Sequence, residues 1–287
     1  MRKYIVISLG ILVLGVCSCR RGTVNPEEER FRMREDVAFA ASASPYLTKA
    51  SDTAVEDGDA IGIFALDPID VMNVKGEVKA GAVTPQIPVK WELDQKVATR
   101  FAAYMPYTDE SVTLDNLFYV QPDQSTAERY FQSDLRYAVT DALPGCKVEF
   151  LFQHALSKLI VEMGNGQAIR SVITGDLALN ARLNMVDGSL EPGSFRGSVT
   201  LGKAVAKNGG KGFVAILVPQ SGNFPLNVIL ESGQAIQATL DASVTIEPGV
   251  AYIATVGPVS GNEARFSLSI TDWGDGGEMS YGKPKQQ

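Results

Sequence analysis

The sequence predicts an all-β protein in which antiparallel sandwiches account for most of the chain. Short apolar segments recur along it without long helical patterns between them, which favours sandwiches over alternating βα units. Hydrophobic residues make up 45% of the chain, and 27 glycines and 14 prolines supply many turns around a sizeable core. Its 287 residues are enough for two domains of ordinary size.

The N-terminus has the pattern of an export signal. Arg2 and Lys3 provide a basic start, and the apolar stretch at residues 5–16 is too short to span a bilayer. An ordinary secretory signal and a lipoprotein signal share these features. We therefore expect this segment to direct export of the chain.

Two cysteines at the end of the signal favour a lipoprotein. Cys19 follows the small residue Ser18, and Val16 lies three positions before it, which is the pattern of a bacterial lipobox whose cysteine is acylated. Cys17 also has an aliphatic residue three positions before it, but it follows Val16, a poorer residue at the cleavage point. We expect residues 1–19 to form the signal and lipobox, with Cys19 as the lipidated residue.

Residues 20–36 are dense in charge and lack apolar periodicity, so we expect a solvated tether. The whole chain carries 26 basic and 33 acidic residues, a net charge of −7. Loss of the signal makes the balance more acidic, because the signal contains Arg2 and Lys3 and no acidic residue. This charge argues against nucleic acid as a partner.

The first domain is expected at residues 37–147 and opens with a short strand at 37–43. The next apolar strand, residues 60–66, has apolar side chains on both faces, so we expect both faces to be covered. Residues 67–88 are rich in proline and glycine and are expected to form a loop with short strands around it.

One short helix is expected in the first domain. The segment Ser125-Thr126-Ala127-Glu128 has the pattern of a capping box and precedes residues 129–135, where the helix would lie.

The stretch at residues 148–163 is the longest apolar-rich segment after the N-terminus and opens the second expected domain, residues 148–287. Alternation and branched side chains favour two strands that meet at residues 153–158. A helix over residues 153–163 also fits the apolar spacing and stays open. In the rest of the domain, residues 265–270 show the clearest alternation of a half-buried strand.

No enzyme signature is found. His154 is the only histidine, and the chain has no nucleophile motif of the form G-x-S-x-G, so we expect a hydrogen-bonded histidine at the junction of the domains. Ligands at metal-binding spacing are also missing from the sequence. We therefore predict no catalytic residue, metal or cofactor, although a distant carboxylate pair for glycoside hydrolysis stays open.

Trp91 and Trp273 are the basis of an alternative function, carbohydrate binding. Both are expected at strand ends, where an aromatic residue is more often part of a core or its rim. Exposed on a sandwich, the same residues would suit a lipid-anchored surface protein that binds carbohydrate.

A series of segments occurs in order over about 240 residues. They are Thr48-Lys49-Ala50, Asp57-Gly58-Asp59-Ala60-Ile61-Gly62-Ile63-Phe64, Trp91 with Phe101-Ala102-Ala103-Tyr104-Met105-Pro106-Tyr107, Asp134-Leu135-Arg136-Tyr137-Ala138, Phe152-Gln153-His154-Ala155-Leu156-Ser157-Lys158-Leu159, Val218-Pro219-Gln220, Pro248-Gly249-x-x-Tyr252 and Ile270-Thr271-Asp272-Trp273. Together, and behind a lipobox, they resemble the fimbrillin family, the subunits of type V pili in anaerobic Gram-negative bacteria.

The resemblance implies two transthyretin-like antiparallel β-sandwich domains in tandem, in a lipoprotein of the outer membrane that assembles into cell-surface fimbriae. In this family a trypsin-like protease removes the first strand of stalk subunits, and a strand from a neighbouring subunit fills the groove. The implied partners are other fimbrillin subunits, the processing protease, the outer membrane and a host or bacterial surface receptor. Strand addition is favourable because the donor satisfies unpaired backbone groups and fills apolar pockets.

On this sequence, the resemblance implies that the displaced strand is the one that contains Val37, Phe39 and Ala41. Lys49 lies just beyond that strand in a polar segment and is the expected processing site. Residues 265–281 are a candidate donor strand. A non-polymerising anchor or tip protein shares the fold, so the position in the fibre stays open.

Overall fold

The structure is a computed structural model that describes residues 34–43, 55–92, 95–110, 113–206, 211–240, 242–273 and 279–280. Regular structure in these ranges is almost entirely β-strand, which confirms the all-β class. The helix α1 (Ala127–Ser133) is the only helix in the described ranges. None of the helical structure there is long and apolar enough to cross a membrane.

The strands follow one another closely along the chain. In order they are β1 (Phe39–Ala43), β2 (Ala60–Ala65), β3 (Val71–Lys79), β4 (Ala82–Pro85), β5 (Thr99–Met105), β6 (Asp115–Tyr119), β7 (Arg136–Ala142), β8 (Val148–His154), β9 (Ser157–Met163), β10 (Ile169–Thr174), β11 (Leu177–Ala178), β12 (Asn180–Asn184), β13 (Leu190–Pro192), β14 (Arg196–Gly197), β15 (Gly202–Ala206), β16 (Lys211–Leu217), β17 (Ser221–Gly222), β18 (Leu226–Leu230), β19 (Ala235–Thr239), β20 (Val244–Thr245), β21 (Val250–Val256), β22 (Glu263–Asp272) and β23 (Met279–Ser280).

The first sheet closes on itself, in the order β1-β4-β3-β2-β5-β7-β8. Strand β1 completes the closure because it pairs antiparallel with β4 and parallel with β8. The second sheet has nine strands in the order β10-β18-β19-β22-β21-β9-β16-β15-β23. In chain order, β8 is therefore the last strand of the first sheet, and β9 is the first strand of the second.

Most neighbouring strands run antiparallel, as predicted, but the pairs β1–β8, β9–β21 and β19–β22 run parallel. Local alternation cannot report this orientation, since a strand has a side-chain period of two in either arrangement. A three-stranded sheet, β13-β12-β6, also joins distant parts of the chain, because β6 pairs with β12.

Strand β2 is covered on both faces, as its sequence predicted. Ile61 and Ile63 belong to the apolar cluster inside the closed sheet, whereas Phe64 belongs to a second cluster shared with the nine-stranded sheet. The neighbouring strand β5 divides in the same way, with Phe101 in the first cluster and Tyr104 in the second. These two strands form the wall between the two cores.

The central stretch consists of two strands, which confirms that interpretation. The chain leaves β8 after His154 and begins β9 at Ser157, so the helix over residues 153–163 is not formed. Residues of β8 alternate between buried and exposed positions, whereas β9 is buried almost throughout. Tertiary contacts on both faces of β9 outweigh its compatibility with helical spacing.

In place of the loop expected at residues 67–88, β3 and β4 form an antiparallel hairpin. Ala80 and Gly81, at its turn, both have positive φ angles, of 49° and 74°. Turns of this kind match the twist of the two strands that they connect. The signal in the sequence is the alternation around Val78 and Val83 on either side of the small residues at the turn.

The helix forms as expected, but its cap is displaced by one residue. Thr126 is the N-cap, and its side chain accepts a hydrogen bond from the backbone N–H of Arg129. The backbone N–H of Ser125 donates instead to Asp123 in the preceding turn. This local hydrogen bond holds Ser125 outside the helix.

Candidate functional site

The candidate site is the seat of β1, defined as the surface of β4 and β8 on which β1 lies. Strand β1 pairs with β8 over five positions, from Phe39 opposite Val148 to Ala43 opposite Phe152. On its other side it pairs with β4 through Phe39 and Ala40. The turn of the β3–β4 hairpin extends this side, since the carbonyl oxygen of Gly81 accepts a 3.0 Å hydrogen bond from Ala41.

The inward side chains of the first strand fill the core of the closed sheet. Val37, Phe39 and Ala41 are all buried there, at alternate positions. The Phe39 ring is stacked on Phe150 of β8, with centroids 5.8 Å apart and an interplanar angle of 5°. It also meets Phe101 edge-on at 5.6 Å. The first strand therefore supplies a central part of this core.

The segment before β1 follows the same seat. The backbone N–H of Val37 donates a 2.8 Å hydrogen bond to the carbonyl oxygen of Val89, and Trp91 donates one of 3.0 Å to Glu35. Outside these bonds, the ion pairs Arg34–Glu92 (3.0 Å) and Asp36–Lys90 (2.8 Å) lie on the surface. Exposed pairs of this kind contribute little stability, so backbone pairing and the buried side chains hold the strand.

Removal of the first strand would expose two kinds of surface together. The backbone edges of β4 and β8 would lose their partners, and the cavity around Phe150 and Phe101 would open to water. An extended segment with apolar residues at alternate positions satisfies both requirements. The seat thus has the properties of a strand-accepting groove.

A second cluster lies where the first sheet meets the second. The carboxylate of Asp134 accepts hydrogen bonds from Nε and Nη2 of Arg136, at 2.9 and 2.7 Å. Its other oxygen lies 2.6 Å from Nδ1 of His154. The expected hydrogen-bonded histidine is therefore present, and the three side chains are buried.

The charges of this cluster set the pKa of Asp134. Burial of the carboxyl raises the pKa, but the charges of Arg136 and His154 and their hydrogen bonds outweigh burial and hold it well below its usual range. The carboxylate is therefore ionised at neutral pH, and its role is structural. It ties the loop after α1 to the ends of β7 and β8.

The structure corrects the role offered for the two tryptophans. Trp91 is 4% exposed and packs edge-on against Phe101 at 5.6 Å. Trp273 is 1% exposed and stacks on His154. Neither indole presents a face to solvent, so the alternative prediction that these two tryptophans bind glycans is wrong. Their positions near strand ends were compatible with both arrangements, and tertiary packing decided between them.

The expected donor segment, residues 265–281, lies in the nine-stranded sheet where the structure describes it. Strand β22 is paired with β21 along seven positions and with β19 at its start. Residues 279–280 pair with β15. In the described part of this segment, strand pairing is thus satisfied within the chain's own sheet.

Two predicted modification sites lie outside the described residues. These are the lipidation site Cys19 and the processing site Lys49. The structure does bring together the predicted residues Val37, Phe39 and Ala41 in the seat. Sequence reasoning missed its other wall, β4, because the hairpin signal around Gly81 was interpreted as a loop.

Solved structures with the same fold come from Bacteroides and Porphyromonas species. A proposed cell adhesion protein of Bacteroides uniformis has 20% identity and a TM-score of 0.63, covering 83% of this chain and 99% of that one. A proposed cell adhesion protein of Bacteroides ovatus has 19% identity and a TM-score of 0.66, with coverages of 84% and 99%. The tip fimbrial protein Mfa3 of Porphyromonas gingivalis has 12% identity and a TM-score of 0.50, with coverages of 83% and 100%.

At these identities the likeness concerns the fold. Among curated protein sequences, none matches the chain. A family model described as fimbrillin-like matches residues 48–273, which is most of the chain. That range includes β2 to β22, and therefore both walls of the β1 seat. The chain belongs to the fimbrillin-like family.

Proposed function

We propose that the chain is a structural subunit of an adhesive type V pilus, exported as a lipoprotein and assembled by protease-triggered strand exchange. Its family consists of structural adhesion proteins, and the chain is not an enzyme. The observation that supports strand exchange is the position of β1, which is buried in the closed sheet and lies at the N-terminal end of the fold.

Cleavage between β1 and β2 would make the first strand separable. Strand β1 ends at Ala43 and β2 begins at Ala60, so the connection between them includes Lys49. A cut after Lys49 leaves β1 held by hydrogen bonds and packing alone. A cut at Arg34 or earlier leaves β1 covalently attached to the rest of the chain. Lys49 is therefore the processing site that we propose.

A donor strand from a neighbouring subunit would then take over the role of β1. It would pair with residues 148–152 of β8 and place apolar side chains where Val37, Phe39 and Ala41 lie. Completion of the core is the driving force, because both the apolar cavity and the open sheet edges are unfavourable in water. The donor remains to be assigned, since residues 265–272 are already paired in their own sheet.

We further propose a tandem arrangement of two domains behind a lipid anchor at Cys19 in the outer membrane. Strand β8 pairs in the closed sheet, and β9 is the first strand of the nine-stranded sheet in chain order. We therefore propose the domain boundary after residue 154, in place of the boundary after residue 147 that the sequence suggested. Residues 20–33 would form the tether until processing, whereas residues 34–36, which the sequence assigned to the tether, already contact residues 90–92. Other fimbrillin subunits, a trypsin-like protease and a surface receptor are the proposed partners.

The N-terminus of the protein in native outer membrane tests this proposal. Intact mass and N-terminal peptide analysis of assembled material is expected to find a mature chain that begins at Ala50. The Lys49→Ala variant is expected to retain β1 and to fail to assemble. Lys147→Ala, at a lysine that is exposed in the structure, is the control and is expected to be processed and assembled normally.

A different result would identify a different role. Fibres built from chains that begin at an acylated Cys19 and retain residues 37–43 would contradict strand exchange at this seat. A chain with that N-terminus at one end of the fibre would instead support the second candidate function, a non-polymerising anchor or tip protein. That candidate is favoured by the similarity of the fold to a tip fimbrial protein.

A further inference from the structure

An open cleft of about 330 Å³ lies between the segment after β5, strand β6 and helix α1. Its volume is within the range of roughly 300–1,000 Å³ that is typical of small-molecule sites. The seat of β1 is not part of its lining. The cleft is therefore a feature separate from the proposed assembly groove.

Apolar side chains are exposed on one wall of the cleft. Tyr119 of β6 is 50% exposed, and Leu117 lies beside it on the same face of the strand, also exposed. Just outside the cleft, Phe195 is 54% exposed and meets the Tyr119 ring edge-on at 6.0 Å. Grouped exposed apolar side chains of this kind mark interaction sites. The aromatic ring offers a flat surface to a ligand.

Polar groups converge on the same space. Gln121 follows β6, Gln132 lies on α1 and Glu110 lies in the segment after β5. Among the residues that the structure describes, the side chains of Glu110 and Gln121 have no hydrogen-bond partner. Gln132 donates to Glu128 through its amide nitrogen, which leaves its oxygen as an acceptor. The cleft can thus offer both donors and acceptors to a ligand.

The charge of the cleft restricts the ligand further. Glu110 is the charged residue in its lining, so the cleft disfavours phosphate, uronate and other anions. A neutral ligand with several hydroxyl groups can donate to the carboxylate and bond to the amides. A ligand with an apolar C–H face can also cover the Tyr119 ring. Neutral pyranose sugars combine these properties.

We propose that this cleft binds a neutral hexose or N-acetylhexosamine unit of a glycan. The sugar stacks its C–H face on Tyr119, and its hydroxyl groups hydrogen-bond to Gln121 and Glu110. Recognition at this site would give the subunit an adhesive function of its own. This inference does not depend on strand exchange.

Saturation-transfer NMR with the purified protein tests the proposal. The probes are glucose, galactose, mannose, N-acetylglucosamine and N-acetylgalactosamine, with N-acetylneuraminic acid as the anionic comparison. At least one neutral sugar is expected to show saturation transfer, and the anionic sugar is expected to show much less. Titration is expected to give at least tenfold weaker binding for Tyr119→Ala and for Gln121→Ala.

Ile270→Ala is the matched control, because Ile270 is an exposed apolar residue outside the cleft, and sugar binding is expected to be unchanged. Circular dichroism checks that each variant is folded. Glu110→Gln, at an exposed position, tests the site if Tyr119→Ala does not fold, and it is expected to reduce discrimination against the anionic sugar.

Failure of every neutral sugar to bind at millimolar concentration would overturn the proposal. Binding that survives both Tyr119→Ala and Gln121→Ala would also overturn it, since the sugar would then lie elsewhere. If Tyr119→Ala prevents fibre assembly and no sugar binds, the cleft is a contact between subunits instead.

Discussion

The imidazole ring of His154 lies parallel to the indole ring of Trp273, with ring centroids 3.8 Å apart and an interplanar angle of 14°. His154 ends β8 in the closed sheet, and Trp273 follows β22 of the nine-stranded sheet. The stack therefore joins the two sheets through residues that are 119 positions apart in the chain.

Replacement of Trp273 by alanine is expected to destabilise the protein by about 3–5 kcal/mol, because it removes a buried aromatic side chain and leaves a cavity beside His154. Urea denaturation followed by circular dichroism measures the change. Ile270→Ala, at an exposed position of β22 three residues before Trp273, is the control and is expected to change stability by less than about 0.5 kcal/mol. Equal effects of the two substitutions would argue against the stack as a structural link.

Asp134→Asn is expected to cost about 3–5 kcal/mol at pH 7, because it leaves Arg136 and His154 without their buried carboxylate. Asp134 has a lower pKa in the folded protein than the usual value of about 4. The unfolded chain therefore binds its proton first as the pH falls. The stability that the carboxylate contributes is fully present above about pH 5 and is lost progressively below pH 4.

Denaturation midpoints measured between pH 3 and pH 7 test whether the stability that Asp134 contributes is lost as the pH falls. The difference between wild type and Asp134→Asn is expected to be largest at neutral pH and to shrink in acid. Asp176→Asn, which removes an exposed ion pair with Arg196, is the control and is expected to have a small effect. A difference that stays constant with pH would show that lost packing, and not lost charge, explains the effect.

Phe39→Ala is expected to destabilise the chain before processing by about 3–5 kcal/mol, because Phe39 fills the core between Phe101 and Phe150. Ser42→Ala, on the exposed face of the same strand, is expected to be nearly neutral. Chemical denaturation of the chain with β1 intact provides the measurement. If Phe39→Ala is as stable as Ser42→Ala, β1 is not an integral part of the core.

Gly62→Ala is expected to destabilise the protein by about 1–3 kcal/mol or more. A Cβ atom at this position would overlap the ring of Tyr104 and lie 2.5 Å from Oδ1 of Asn73. The tyrosine cannot move away freely, because its buried hydroxyl group is held 2.8 Å from Oδ1 of Asn73 and 2.9 Å from the carbonyl oxygen of Thr108, and it donates its one proton to these acceptors.

The control for this substitution is Gly222→Ala, where an added Cβ would meet Phe224 at an ordinary 3.9 Å. Thermal melting is expected to separate the two variants by several degrees. A Gly62→Ala protein with the melting temperature of wild type would mean that the Tyr104 ring has room to shift.

Several features of the fold followed from the sequence because they depend on neighbouring residues. Alternation predicted that β2 is buried on both faces, and alternation with branched residues predicted two strands that meet at residues 153–158. The capping pattern placed α1 to within a few residues of its position. The alternating apolar side chains of Val37, Phe39 and Ala41 also identified the first strand.

The sequence alone determined an all-β chain with an early core strand and without a recognisable catalytic motif. The tertiary structure decided which strands flank β1, that both tryptophans are buried, and that Asp134 meets His154. It also brought Glu110, Tyr119 and Gln132 to one cleft. Periodicity is a local property that any strand partner preserves, whereas burial and pairing depend on contacts between residues far apart in the chain.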